Sequence, residues 1–331
     1  MIPSTDNIFS IRSPEAFRQA ALAVFKHQAT GNKVYANYLA GLKIDVNAVE
    51  TLEQIPFMPI EFFKTQEVIT GKTAADAVQV FTSSGTTGMV QSRHFVTDIS
   101  LYEKSYLLAF HHFYGSIEDY CILALLPSYL ERNGSSLVYM ADDMIRKSGH
   151  PRSGFYLHNY NELILTLEEL KLKKQKVILL GVTYALLDLV EQFPLFKGDE
   201  NLIIMETGGM KGKRKEMVRE ELHAVLCEGF GVKSIHSEYG MTELLSQGYS
   251  KGDGIFECPP WMKIMIRDTN DPFTFFPNHK TGGINVIDLA NINSCSFIAT
   301  QDLGKTYPGN SFEVLGRFDN SDIRGCNLLV Q

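Results

Sequence analysis

Thr82, Ser83, Ser84, Gly85, Thr86, Thr87 and Gly88 place five hydroxyl side chains and two glycines in seven consecutive positions, with Arg93 close behind. Gly85 and Gly88 let the backbone turn sharply and come close to a ligand. Successive N–H groups in such a turn form a nest for an anion, and polyphosphate is its natural guest. Threonine is β-branched and stiff, so its density here argues against a merely flexible turn. The stretch is not a Walker A loop, because Met89, Val90 and Gln91 follow Gly88 where lysine and a hydroxyl residue belong. A second reactive candidate is Cys326, near Arg324 in a terminal segment. A thiol beside a cation ionises more readily and can act as a nucleophile. His94, His111, His112, His158 and His236 are candidate acids, bases or gates. His236 is the best placed, next to the turn Ser237-Glu238-Tyr239-Gly240.

These residues need a scaffold. Tyr120–Pro127, Lys176–Gly181 and Asn201–Gly209 are continuous apolar runs that read as buried strands. Amphipathic stretches alternate with them: Asn161–Lys176 with Leu163, Leu167 and Leu170 on one face, Thr183–Phe193, and Lys215–Gly231 with Met217, Val218, Leu222, Val225 and Leu226. This alternation predicts a parallel sheet covered by helices on both faces. Right-handed crossovers bring the strand-to-helix loops to one edge, where ligands of such folds bind. Glu206-Thr207-Gly208-Gly209 and Ser237–Glu243 both fall at predicted strand ends and are expected to converge. Upstream, Ser13-Pro14 starts a helix with Phe17, Ala21, Val24 and Phe25 on its apolar face. Ile55–Lys64, with Pro56 and Pro59, reads as extended and packed. Downstream, Met262–Asp268, Gly282–Leu289, Cys295–Asp302 and Ser311–Asp319 are short strands with turns. The predicted organisation is a helical N-terminal segment (1–75), an α/β core (76–250) and a small β-rich C-terminal subdomain (251–331).

The chain has 331 residues, 44% of them hydrophobic and 21% charged, with a formal net charge of −7. That composition belongs to a folded globular protein and is unsuited to general nucleic-acid binding. The apolar runs are too short to span a membrane, so no stable membrane insertion is expected, and the N-terminus lacks a signal-peptide pattern. A cytoplasmic location follows as the expectation. The five cysteines are scattered without a CxxC pair, which argues against a disulfide framework or a zinc site. Lys171, Lys173, Lys174 and Lys176 read as a solvated helix face. Lys211, Lys213, Arg214 and Lys215 follow a Gly-Gly turn and invite a role near a ligand.

The run Thr82–Gly88 resembles the phosphate-loop signature of adenylate-forming enzymes, the group of acyl-CoA synthetases, luciferases and peptide-synthetase adenylation domains. Further matches follow in that group's order. Glu238–Glu243 is similar to its Tyr-Gly-x-Thr-Glu motif, and Thr207–Met210 to its adenine-binding turn. Thr300–Gly304 is similar to the segment whose aspartate binds ribose, and Gly316–Gly325 to the hinge that begins Gly-Arg-x-Asp. The resemblance implies nucleotide contacts at Ser83, Ser84, Gly85, Thr86, Thr87, Gly88, Gly208, Gly209, Met210, Glu238, Tyr239, Gly240, Met241, Thr242, Asp302 and Arg317. The side chains suit those roles. Tyr239 can stack on adenine, and Thr242 can bond a phosphate or the oxygen that replaces it. Glu243 can hold Mg²⁺, a hard ion. Asp302 is acceptor-only and suits a ribose diol, and Arg317 carries a cationic fork. A carboxylate attacking the α-phosphate of ATP then gives an acyl-adenylate and pyrophosphate.

The chain departs from that group in two respects. No full mobile C-terminal domain with its catalytic lysine is expected after the hinge motif, and the phosphate loop lacks the usual Pro-Lys ending. Lys211, Lys213 or a partner is left to supply the cation. One branch fits this shape, the LuxE-type acyl-protein synthetases. Ile55–Lys64, Leu126–Met140 and Gly316–Leu329 resemble it. It implies catalytic roles for Cys326, Glu243 and Thr242, with a fatty or other carboxylic acid as substrate. The acyl group moves to Cys326 and onward to an acyl-CoA reductase-type partner. Ser128, Gly181 and His236 are placed to line or gate the acyl pocket. Two rivals stand beside this reading: a CoA ligase of the phenylacetate-CoA ligase type, and a nucleotide-binding scaffold subunit of a reductase complex.

Overall fold

The computed structural model describes residues 4–83, 90–127, 134–208, 214 and 217–318. It opens with helices α1 (Thr5–Phe9), α2 (Pro14–Gly31) and α3 (Lys33–Gly41). The Ser13 hydroxyl accepts the Ala16 N–H at 3.2 Å and Pro14 takes the first helical position, so α2 starts where the sequence predicts. Phe17, Ala21, Val24 and Phe25 are all buried. The short strand β1 (Met58–Pro59) and the helical turn α4 (Phe62–Thr65) come next. The segment expected to be extended is therefore extended only as far as Pro59.

Strands β2 (Gln79–Thr82) and β3 (Arg93–Val96) form an antiparallel pair of their own. Then α5 (Ile99–Tyr114), β4 (Tyr120–Leu125), α6 (Ser136–Ser148), β5 (Gly154–Tyr156), α7 (Tyr160–Leu172), β6 (Lys176–Gly181), α8 (Thr183–Gln192), β7 (Leu202–Glu206), α9 (Arg219–Phe230) and β8 (His236–Tyr239) follow. Every residue of β4 is buried, as an uninterrupted apolar strand requires. β5, β4, β6, β7 and β8 are parallel neighbours in that order. Helix α9 begins later than its sequence suggests. Val218 is its extended N-cap and is exposed, as is Val225, while Leu222 and Leu226 pack inward.

The remaining strands are β9 (Gly248–Ser250), β10 (Ile255–Glu257), β11 (Met262–Arg267), β12 (Phe275–Phe276), β13 (Gly282–Asp288), β14 (Phe297–Tyr307) and β15 (Ser311–Arg317). They pair antiparallel and extend the same sheet. Among the described residues its order is β12-β11-β13-β14-β15-β10-β9-β8-β7-β6-β4-β5, with β1 parallel to β14. This mixed α/β architecture is of the class expected from the sequence. Side-chain alternation along β8 separates the two faces of the sheet. Tyr114 of α5 touches His236 on one face, and His223 of α9 approaches Glu206, the register partner of Ser237, on the other.

The N-terminal helices dock on the far end of the chain. The buried Gln28 amide donates to the carbonyls of Asn291 at 2.9 Å and Ile292 at 3.0 Å, and its oxygen accepts the Ser296 N–H. Asp288, at the end of β13, accepts the N–H groups of Leu245, Ser246 and Ala290 and the Ser246 hydroxyl. It thereby pins the chain just after Glu243. Asp288→Ala leaves these buried donors unpaired, at roughly 1–3 kcal/mol for each group that water cannot reach. Urea unfolding is expected to show a loss of about 3 kcal/mol or more.

Candidate active site

The carboxyl ends of β7 and β8, the ends of β2 and β3, and the β14–β15 pair enclose a cleft of about 1830 Å³. Ser83, Gly208, Glu238, Tyr239, Gly240, Met241, Thr242, Glu243, Asp302 and Arg317 all line it. The two strand-end segments thus converge as expected. Ser84, Gly85, Thr86, Thr87, Gly88, Ser128, Gly209, Met210, Lys211, Lys213 and Cys326 lie outside the described residues. His236 does not line the cleft; its Nδ1 is 3.2 Å from the Tyr114 hydroxyl. Burial, helped by Lys251, pushes its imidazole down to about 4. Gly181 does not line the cleft either: a Cβ there would meet Leu186 at 2.6 Å, so glycine lets α8 close on β6. Arg214 is held in ion pairs with Asp188 and Glu191 on α8. Trp261 is buried, its indole N–H shared between the hydroxyls of Ser105 and Ser246.

One end of the cleft is built on a cross-strand pair. Asp302 and Arg317 stand opposite each other on β14 and β15. The Tyr239 hydroxyl donates to Asp302 Oδ2 at 2.8 Å and Arg317 Nε donates to Oδ1 at 3.2 Å. Burial and the Asp302 carboxylate push the Tyr239 phenol far up, so it stays a donor. Asp302 is buried while the Arg317 side chain is 79% exposed, leaving its fork free to reach a ligand.

Glu243 lies deeper and is 5% exposed. Burial raises its carboxyl, opposed by the Ser92 hydroxyl, its own backbone N–H, Arg317 and Lys64. Lys64 lines the cleft as well, a cation that no motif announced. The backbone of Thr242–Glu243 is held from two sides. Asn291 Nδ2 donates to the Glu243 carbonyl at 2.7 Å, and His94 Nδ1 bonds the Thr242 carbonyl at 2.8 Å. That contact makes Nδ1 the protonated nitrogen. His94 is fully enclosed, and burial pushes it down to about 4 against the pull of the Thr242 carbonyl. A depressed folded-state value means that its contribution to stability is complete above the ordinary histidine range near 6.5 and is lost as pH falls through about 4. His94→Asn should flatten the stability decline across that window, as read by urea unfolding at a series of pH values.

Glu206, named in the sequence only as part of a strand-end turn, organises the turn after β7. Its Oε2 accepts the Gly208 N–H at 2.6 Å and the Thr183 hydroxyl at 3.3 Å, and His223 Nε2 lies 3.7 Å from Oε1. Burial pushes its carboxyl up, but His223, Arg219, the Ser237 hydroxyl and Gly208 outweigh burial and hold it below the usual value. Gly208 has φ 76°, which glycine adopts without strain. A glutamate at a strand end directly before a glycine turn was the available signal. Glu238 behaves differently, with burial and then Glu206 raising its carboxyl to about 8.

A family model described as acyl-protein synthetase, LuxE, matches residues 150–331. No curated protein sequence matches. Among solved structures, ATP-bound MatB from Rhodopseudomonas palustris superposes with a TM-score of 0.55 at 17% identity, covering 75% of this chain and 49% of MatB. The chain thus spans about half the length of that relative. An open 2-hydroxyisobutyryl-CoA ligase in complex with 2-HIB-AMP and CoA gives a TM-score of 0.64 at 10% identity, covering 97% of this chain and 75% of the ligase. Its postadenylation state gives 0.66 at 11% identity, covering 96% and 72%. At such identities the likeness is one of fold, that of adenylate-forming ligases.

Proposed function

We propose, for this chain, which belongs to the LuxE family of acyl-protein synthetases, that it activates a carboxylic acid as an acyl-adenylate and passes the acyl group to the Cys326 thiol. The observation that carries this reading is the joining of Tyr239, Asp302 and Arg317 with Thr242 and Glu243 along one cleft. Asp302 is placed to accept ribose hydroxyls, and the exposed Arg317 fork to reach ribose or phosphate oxygens. The Thr242 hydroxyl serves the α-phosphate or the attacking carboxylate. In the first step a carboxylate oxygen of the acid bonds to the α-phosphorus of ATP, the bond to the β-phosphate bridge breaks, and pyrophosphate leaves. In the second the Cys326 sulfur bonds to the acyl carbon, the bond to the AMP oxygen breaks, and the thiol proton goes to solvent.

Glu243 suits Mg²⁺, since it offers an enclosed hard oxygen donor at the cleft wall. Among the described residues no group of three or more metal-binding side chains occurs. When bound, Mg²⁺ neutralises phosphate charge during the displacement. Lys64 is placed to add a fixed positive charge on the same wall. The family likeness points to a fatty acid and to an acyl-CoA reductase-type protein as recipient. Among the described residues no helix is long and apolar enough to cross a membrane.

Intact-mass spectrometry after incubation with ATP, Mg²⁺ and a panel of acids tests the transfer step. A hydroxylamine-sensitive acyl adduct on the wild type, absent from Cys326→Ala, is expected. Turnover that requires free CoA and leaves no adduct on the protein would instead establish CoA as the acceptor.

A further inference from the structure

The face of β8 that carries Glu238 is distinct from the face that carries Tyr239, because successive strand residues point to opposite sides. Tyr239 turns toward Asp302, the end assigned above to ribose. Glu238 turns the other way and stands opposite Tyr249 in the β8–β9 register. A Cβ on Gly240 would collide with the Glu238 carboxylate and meet the Gln247 side chain at 3.3 Å, so these two side chains flank one glycine. Tyr102, Leu137 and Met140 add an apolar wall to the same cleft.

Two enclosed polar atoms of this face lack partners. Gln247 is 3% exposed, lines the cleft, and its Oε1 has no hydrogen-bond partner. Tyr249 is 2% exposed and its hydroxyl has none. Glu238 lines the cleft as well, and burial and the neighbouring Glu206, with no hydrogen-bond donor, set its carboxyl. Enclosed polar groups left unpaired are costly, and they cluster where a ligand completes them. The Gln247 carboxamide oxygen is an acceptor, and the Glu238 carboxyl, raised to about 8 by burial and Glu206, keeps an accepting oxygen whether protonated or ionised, so a hydrogen-bond donor satisfies both.

We infer that this face receives the chain of the acid, and that Glu238 and Gln247 accept hydrogen bonds from a hydroxyl or ammonium group on it. The preferred substrate is then a hydroxy- or amino-substituted carboxylic acid rather than a plain alkanoic acid. The inference rests on the ligase reading above and deepens it. Glu238, expected among the nucleotide contacts, is reassigned to selection of the acid. A site built to bond a polar substituent rejects the analogue that lacks it far more strongly than an apolar pocket discriminates by size.

The test is acid-dependent pyrophosphate release by the full chain with octanoic acid and a series in which one hydroxyl or one amino group is walked along it. At least one substituted acid is expected to exceed octanoic acid in kcat/KM by about 10²-fold. The hydroxyl and amino arms show which donor is read. Glu238→Leu and, separately, Gln247→Leu should each shrink that ratio by about tenfold or more, with thermal melting as the control for folding. If octanoic acid equals or exceeds every substituted acid, the inference is overturned, and the wild-type series alone decides this if both variants unfold. A ratio unmoved in folded variants overturns the assignment of these residues. Pyrophosphate release with no acid at all overturns the ligase reading itself.

Discussion

Glu243→Gln is expected to lower acid-dependent pyrophosphate release by about 10³-fold, the scale seen when one preorganised electrostatic contact to a developing charge is removed. The substitution keeps the shape of a side chain that is 5% exposed. The local backbone should survive it, because Asn291 and His94 grip the carbonyls of Glu243 and Thr242 rather than the carboxylate. Loss of rate without loss of melting temperature therefore separates chemistry from folding. Pyrophosphate release by Glu243→Gln at a rate close to that of the wild type would remove Glu243 from the reaction.

Asp302→Ala should raise the KM for ATP by about 10²-fold or more while changing kcat less. Two losses result. The acceptor for the ribose diol goes, and hydrogen bonds to a charged group are worth about 1.5–3 kcal/mol each. The enclosed Tyr239 hydroxyl also loses its partner at 2.8 Å, a cost of about 1–3 kcal/mol that falls on folding stability rather than on ATP binding. Asp302→Asn should fall between the wild type and the alanine variant, because the amide retains one acceptor. Arg317 contrasts with it. Its pair with Asp302 is largely in water, so Arg317→Ala should leave unfolding free energy nearly unchanged. Steady-state kinetics with ATP varied at saturating acid reads both residues. An unchanged KM for ATP in Asp302→Ala would place the ribose elsewhere.

The parallel half of the fold was legible because β4, β6 and β7 are unbroken apolar runs separated by helices with apolar faces. That local pattern already implies where their loops gather, which is why Glu206–Gly208 and Glu238–Glu243 could be brought to one place before any coordinates. Less could be read where partners are distant in the chain. The strands β11, β13, β14 and β15 announce themselves one by one and the shorter β9, β10 and β12 do not, and nothing local says that any of them continue the parallel sheet through β8. Gln28 reads as a polar residue on a helix, yet it is buried against carbonyls more than 260 positions away. Helix α9 was placed too early because Met217 and Val218 are apolar. Met217 packs at the edge of the core where it borders the cleft, and Val218 is an exposed cap. His94 could be named only as a candidate acid, base or gate and Glu206 only as part of a strand-end turn, and what each one binds stayed hidden for a related reason. Each acts on the backbone of another segment, and a single side chain carries no mark of the carbonyl or N–H it will meet.

The most direct measurement of the central claim is acid-dependent exchange of labelled pyrophosphate into ATP by the purified chain with Mg²⁺. An acyl-adenylate formed reversibly in the cleft predicts exchange that requires the acid, needs neither CoA nor Cys326, and collapses in Glu243→Gln. Exchange absent with every acid, from protein that still binds ATP, would contradict adenylate formation and leave a nucleotide-binding subunit.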